Sequence, residues 1–455
     1  MMNFYVEPSK KIPVVEVADI CVLGGSATGV FAAVRAARLG ARVVIVEKMN
    51  CFGGVATSGM VNIWHSLMDT EYKKQIIAGM TLETVERLKR RDAVKIFTEC
   101  VDAFRMNTEE LKIELDELIL EAGVKPYLHT SYVAPIVENG ELKAIVIENK
   151  SGRSAIEAKM FIDATGDGDL CKQLGLNTYT VENLQPPTTG AKIIGMDMEL
   201  YGMGKVNGYD MNTLILEHRE EFNLPEGYAW SCIIPGVPGV TYQAMTRIFS
   251  VDCSKAEELT HAEIEGRRQV RAVLDLIRKY IPEGDKLGLV DLSAYIGIRE
   301  TRHIACSYRL TEHDVLNGGR FDDAIANASM RVDIHHNDKP GITFKFMDGT
   351  AEYKRFGQPV QCTRWREKTE LNPTFYQLPY RSLLPGKYDN LLLCGRCVDA
   401  EPGAFASIRV MVNMNQTGEA AGTAAYLAVS SEKPVDEIDI SKLKRLLAEG
   451  GSIVI

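Results

Sequence analysis

Residues 19–23 (DICVL) form a short, mostly apolar run that closes on Gly24-Gly25, and small or apolar residues fill 27–39 (ATGVFAAVRAARL) up to Gly40. A brief apolar run bounded by glycine reads as a strand buried on both faces, and the small-residue stretch as a helix lying against a sheet. Residues 41–47 (ARVVIVE) add a second β-branched run. Together they predict a strand–helix–strand unit of about 30 residues. Residues 108–122 read as a helix, with Asn107 or Thr108 as its cap and Gly123 just past its end. Residues 125–148 alternate as short strands around Asn139-Gly140, a hairpin signal. Two more buried strands end in glycine: 159–164 (KMFIDA), running into Thr165-Gly166-Asp167-Gly168, and 390–394 (NLLLC), running into Gly395. A Gly/Ala-rich helix follows at 416–427.

Between about 181 and 384 the pattern changes to more Pro, Gly, Tyr and charge, with a helical stretch at 261–278. The order predicts an α/β protein. Residues 1–60, 106–180 and 385–455 form a discontinuous Rossmann-like domain, three-layered around a mostly parallel sheet. Residues 61–105 form a helical connection, and 181–384 an inserted α+β substrate or cap domain. The Met and Tyr residues of 196–245 read as core and pocket lining, and Arg87, Lys89, Arg90 and Arg91 as a solvated helix face.

Composition narrows the classes. The length of 455 residues suits two to four domains. A net charge of −9 lacks the basic surplus that nucleic acid demands. No run approaches the ~18 apolar residues that cross a bilayer. The first residues carry no apolar signal core, so a cytoplasmic location is expected. Ten scattered cysteines read as reduced thiols rather than a disulfide framework.

Gly24-Gly25-Ser26-Ala27-Thr28-Gly29 occupies the first strand–helix turn. A pyrophosphate needs bare N–H groups at a helix N-terminus, where the dipole favours negative charge. Ser26 stands where the G-x-G-x-x-G pattern has its second glycine, and its hydroxyl can donate to a phosphate. Glu47, 23 positions beyond Gly24, ends the second strand, where an acid accepts from ribose hydroxyls. A further glycine loop, Gly53-Gly54, follows directly.

With these motifs, FIDATGDGDL (161–170), IRETRHIA (298–305) and NLLLCGRC…SIRV…GEAAGTAA, the chain resembles the FAD-dependent oxidoreductases of the glutathione-reductase-like superfamily over nearly its whole length. The resemblance implies a non-covalent FAD. Gly24, Gly25, Ser26, Ala27, Thr28 and Gly29 would form the pyrophosphate turn, and Glu47 would hold the ribose. Lys48, Gly53, Gly54 and Val55 would run beside the ribityl chain and flavin, with the Val133 backbone at adenine. Thr165, Gly166 and Asp167 would pack near the pyrophosphate, Gly395 and Arg396 near phosphate and ribityl groups, and Arg409 at the flavin edge.

A flavin supplies the redox chemistry, so the protein must orient the substrate and handle protons. His65 is one candidate, facing the flavin or packing as a loop histidine beside Trp64. In His335-His336, neighbours in an extended segment point to opposite faces, so one can face a pocket. If 299–303 is helical, Arg299, Arg302 and His303 share a face, as a carboxylate clamp or as a salt-bridge network. Cys394 and Cys397 form a C-x-x-C, either a redox dithiol or packed strand-end thiols. No ligand spacing suggests a metal. The leading expectation is hydride transfer between a small organic substrate and flavin N5. The alternatives are a flavin-dependent thiol/disulfide oxidoreductase and a non-redox, thiazole-synthase-like nucleotide-binding protein. No second strand–glycine unit marks an NAD(P)H site, so the electron donor or acceptor stays unnamed and a homo-oligomer stays open.

Overall fold

The computed structural model describes residues 5–97, 103–195, 205–227 and 229–455. Met196, Met198, Tyr201, Met203 and Tyr228, included in the lining expected for 196–245, lie outside them.

The apolar runs assemble into one seven-stranded sheet, in the order Lys125–Tyr127, Val43–Val46, Val14–Leu23, Gly152–Asp163, Glu141–Asn149 and Ser131–Glu138, with Leu391–Leu393 also pairing Gly152–Asp163. The pairs around Val14–Leu23 are parallel, and Leu391–Leu393 runs parallel too. The remaining strands form the antiparallel hairpin turned by Asn139-Gly140, where Glu138 faces Glu141. Val43–Val46 is buried at every position, as a strand covered on both faces must be. The register sets Leu23 beside Asp163 and Asp163 beside Leu393. The carboxyl ends of the four parallel strands Val14–Leu23, Val43–Val46, Gly152–Asp163 and Leu391–Leu393 therefore reach one edge together.

Helix Ala27–Arg38 packs against helix Met411–Ser431. A Cβ at Gly418 would lie 2.1 Å from Thr28 O, and one at Gly422 2.1 Å from Ala32 O, so the two backbones touch where these glycines stand. Arg35 crosses the same seam to Glu419 at 2.5 Å, both side chains buried. Glu419 also accepts the N–H of Met80, tying in helix Gly79–Arg90.

The connection at 61–105 is not wholly helical. A helix, Gly79–Arg90, stands with a three-stranded sheet of Ile63–Trp64, Ala103–Met106 and Val94–Phe97. Strands of two to four residues are too short for alternation to register in a sequence. The interval 181–384 divides between cores. Ala191, Ile193, Val273 and Ile277 form a cluster under helix Ala256–Tyr280, whereas Ile304, Leu316, Ile325, Tyr376 and Leu378 join the main core with Ile20 and Phe31.

Candidate active site

Four glycine loops meet at the edge where the parallel strands end. Gly24 has φ +103°, and a Cβ there would stand 2.4 Å from Ala164 O, so both the turn and the neighbouring strand end require glycine. Ser26 caps helix Ala27–Arg38 by accepting from Gly29 N–H at 3.3 Å. Its hydroxyl proton thus stays available to an anion above the helix N-terminus. Glu47 accepts the N–H of Gly25 at 2.6 Å and of Met49 at 2.8 Å, so the acid braces the glycine turn and keeps further lone pairs for a hydroxyl. Asp163 is fully buried and accepts from Thr165 and from the Cys171 N–H, which shapes the third loop. Asp167 accepts from Thr301 Oγ1 at 2.7 Å and from Arg396 at 3.1 Å, joining the third loop to the C-terminal one.

These loops line one cleft, which includes Gly24, Ser26, Ala27, Thr28, Glu47 and Lys48, then Gly53, Gly54, Val55, Thr165, Gly166 and Asp167, and finally Gly395, Arg396 and Arg409. Gly25 and Gly29 sit behind the turn in its packing: a Cβ at Gly25 would strike Phe52 at 2.5 Å, and one at Gly29 would strike Gly24 O at 2.0 Å. Two observations fit FAD here. Arg396 Nη1, Arg409 Nε and both amide atoms of Asn415 are buried without a hydrogen-bond partner on the cleft wall, and such groups are costly unless a ligand meets them. At Gly395 a Cβ would meet only Thr28 Cγ2, at 3.9 Å, so the chain leaves bare backbone open beside the helix N-terminus. Asn415 was not legible in the sequence, since an amide inside a Gly/Ala-rich helix carries no motif.

A second cavity continues past Glu47 and Lys48 along Thr130, Ser131, Tyr132, Asp169 and Arg302. Val133 is not among its walls, and Tyr132 takes that place. Arg302 is likewise moved from its expected role. It donates to Asp167 O at 3.1 Å, lies 3.5 Å from Asp169 and lines this second cavity. The stretch 299–303 is extended, not helical. Its side chains therefore diverge: Thr301 reaches Asp167, Arg302 the second cavity, and His303 is buried against Glu300 and Val398 O. Burial, with Asp167 and Asp163 nearby, pushes the Asp169 carboxyl up to about 6.

A third cavity adjoins the cleft and shares Val55, Ile298, Arg396, Arg409 and Met411 with it. Its other walls include His65, Thr188, Trp230, Tyr242, Arg299, Asp333 and His335. His65 also lines a larger outer cleft with Arg331 and Phe346, so it stands between the inner cavity and that opening. Burial, reinforced by the positive charge of Arg331, lowers His65 to about 4. His335 Nε2 is 3.4 Å from Asp333 Oδ1, an ion-pair contact outside good hydrogen-bond geometry, since Asp333 Oδ1 is buried without a hydrogen-bond partner; on the other side of the ring His335 Nδ1 is buried without one as well. Burial lowers His335 to about 3 against the pull of Asp333, with Arg299 adding to the fall. His336 turns away and bonds Thr343 at 2.7 Å. Arg299 donates through Nη1 to Pro186 O at 2.5 Å and to Thr188 Oγ1 at 2.6 Å.

Cys394 and Cys397 line none of these cavities. Both are buried, free thiols, raised above the usual thiol range by burial and by Asp163. Such thiols are inert, in contrast to the exposed thiolates of dithiol enzymes. No helix among the described residues is long and apolar enough to cross a membrane, and no group of three or more His, Cys, Asp or Glu is set to hold a metal among them.

Comparison with solved structures returns distant likenesses. A geranylgeranyl bacteriochlorophyll reductase-like protein from Thermoplasma acidophilum is 14% identical over 95% of this chain and 84% of that one, with a TM-score of 0.48. The p-nitrophenol 4-monooxygenase of Pseudomonas putida DLL-E4 is 10% identical over 95% and 87%, with a TM-score of 0.46. The THI4 protein of Thermovibrio ammonificans is 18% identical but spans 36% of this chain and 66% of that one, with a TM-score of 0.28. No curated protein sequence matches. The family model described as FAD dependent oxidoreductase matches residues 19–447. The chain belongs to the FAD dependent oxidoreductase family, and its cofactor is FAD.

Proposed function

We propose that the protein oxidises or reduces a small organic substrate, with a hydride passing between a substrate carbon and flavin N5, and that its nearest kin lie in the glutathione-reductase-like branch. When bound, FAD supplies the two-electron chemistry. The observation that carries this reading is the shared wall: Val55, Ile298, Arg396, Arg409 and Met411 face both the cofactor cleft and the third cavity. With Arg409 at the flavin edge, as the family resemblance implies, a molecule in that cavity would lie against the redox end of the cofactor. Asn415, with donor and acceptor both unpartnered, suits the pyrimidine edge of a flavin.

His335 is the group placed to move a proton. Neutral at physiological pH, it has an unpartnered Nδ1, and Asp333 beside Nε2 favours the tautomer that leaves Nδ1 free to accept. Arg409, 3.6 Å from Asp333 Oδ2, fixes that carboxylate from the other side. Trp230 and Tyr242, packed edge to face at 5.5 Å, give the cavity an apolar body that excludes water. His65 stays neutral at physiological pH and flanks the way out. The test is direct: purified protein should carry FAD, and anaerobic addition of candidate substrates should bleach the yellow band. Protein that holds FAD yet is never reduced or oxidised by any small organic substrate returns the site to a structural cofactor.

A further inference from the structure

We infer that the third cavity recognises its substrate by a carboxylate group, which Arg299 receives side-on. This inference rests on the flavin-redox reading above and names the substrate class for it.

The cavity's arginines differ in their partners. Arg396 has Asp167 at 3.1 Å and Arg409 has Asp333 at 3.6 Å. Arg299 pairs with no carboxylate among the described residues, and its hydrogen bonds go to a carbonyl and a hydroxyl. Of these three guanidinium groups, Arg299 is thus the one with no described carboxylate within ion-pair distance. A poorly paired charge away from water is costly unless a counter-charge arrives. Arg247 adds to the same positive field, since it too donates to Thr188 Oγ1, at 3.1 Å. Burial, with Arg247 and Arg409 close by, pulls Arg299 well below its ordinary value. An arginine does not deprotonate in proteins, so Arg299 keeps its charge in this buried setting.

Geometry narrows the anion. Both recorded bonds use Nη1. The remaining Nε–Nη2 side of the fork is the one that meets a carboxylate through two parallel hydrogen bonds. The cavity that Arg299 lines is also walled by Val55, Val61, Ile63, Trp230 and Tyr242, which suit a compact apolar body rather than a sugar or a phosphate chain. The ligand class is therefore a small carboxylate with an apolar or aromatic body.

The experiment titrates FAD-loaded protein with benzoate and with its neutral isostere benzamide. It reads the flavin absorbance difference and the thermal midpoint. Benzoate should perturb the flavin and raise the midpoint, and benzamide should do neither. Arg299→Gln should keep its full FAD content while weakening benzoate by about 30-fold, the range of a charge-assisted hydrogen-bond pair. Arg299→Lys, which keeps the charge without the fork, should weaken it less. Equal binding of benzamide, no response to benzoate, or wild-type benzoate affinity in Arg299→Gln would each overturn the inference. So would loss of FAD from Arg299→Gln and Arg299→Lys alike, which would make the residue a cofactor contact. Failure of the flavin to turn over with any organic substrate sinks the redox reading separately, whatever benzoate does.

Discussion

The cofactor cleft and the cavity beside it share five residues but are built from different materials. The cleft is mostly backbone: strand ends, a helix N-terminus and glycines, with its acids already engaged by Gly25, Met49, Thr301 and Arg396. The cavity is mostly side chains, several of them buried with unmet charge or hydrogen-bonding capacity, such as Arg299, Asp333, His335 and His65. A site made of backbone binds one invariant ligand shape, whereas a site made of side chains can be retuned one residue at a time. Damage should follow that division: cleft changes should be read in FAD content, and cavity changes in substrate binding and rate.

The largest effect tests the cleft. Gly24→Val adds a branched side chain where a single Cβ already falls 2.4 Å from Ala164 O, at φ +103°. The flavin-to-protein ratio of the purified variant should fall below about a tenth of wild type, because the backbone must move away from the pyrophosphate turn. Full flavin content would break the comparison at its root. In the cavity, His335→Gln should keep FAD yet slow flavin reduction by about 10²- to 10³-fold, the usual worth of a positioned proton acceptor. A rate loss accompanied by loss of FAD would assign His335 to the cleft instead.

Acid stability separates the regions again. His65 has a folded-state value of about 4 against 6.5. Below pH 6.5 the unfolded chain takes a proton that the folded chain refuses until about pH 4. Stability therefore falls as pH drops through that window and levels off below it. At about 1.4 kcal/mol per unit, His65 contributes at most about 3 kcal/mol, and His335 acts in the same direction over a slightly wider range. The gap between the urea midpoints of the apoprotein at pH 7 and pH 4.5 should narrow in His65→Asn, with the share of His335 remaining. An unchanged slope would place that proton uptake elsewhere. A smaller effect divides the two arginines of one motif. Arg302→Ala should weaken FAD by about tenfold, through Asp167 and the adenosine end, and leave benzoate affinity untouched. Arg299→Gln should do the reverse.

That division also explains what the chain revealed before its fold was known. The strand–glycine–helix unit, the Asn139-Gly140 hairpin and the helix beginning at Thr108 are local: each is written in consecutive residues with its own cap or turn. The cleft was legible for the same reason, since Gly24, Glu47, Thr165 and Gly395 each close a strand whose parallel neighbours bring it to one edge. The cavity was not. Thr188, Trp230, Tyr242, Asp333 and His335 come from segments far apart in sequence, and none has a motif that points to the others. Arg299 and Arg302 misled because the stretch around them is extended. A helix would have put them on one face, whereas here Arg302 lines the second cavity and Arg299 the third. His335 was readable only as one of an adjacent pair, of which alternation lets one face a pocket.

The smallest expected effect bears on the pair that sequence made most conspicuous. Cys394 and Cys397 sit within the wall behind the cleft, with Cys397 Sγ donating to Cys394 O at 3.7 Å and neither thiol reaching a cavity. Cys397→Ser replaces that weak donor with a hydroxyl that can use the same carbonyl, so the cost is about 1 kcal/mol of stability. Flavin reduction and reoxidation should stay within about twofold of wild type. A dithiol that relayed electrons would instead lose turnover completely while FAD stayed bound and the thermal midpoint barely moved. That outcome would put chemistry in the cleft wall, where only cofactor binding is expected, and would erase the line between a backbone-built cleft and a side-chain-built cavity.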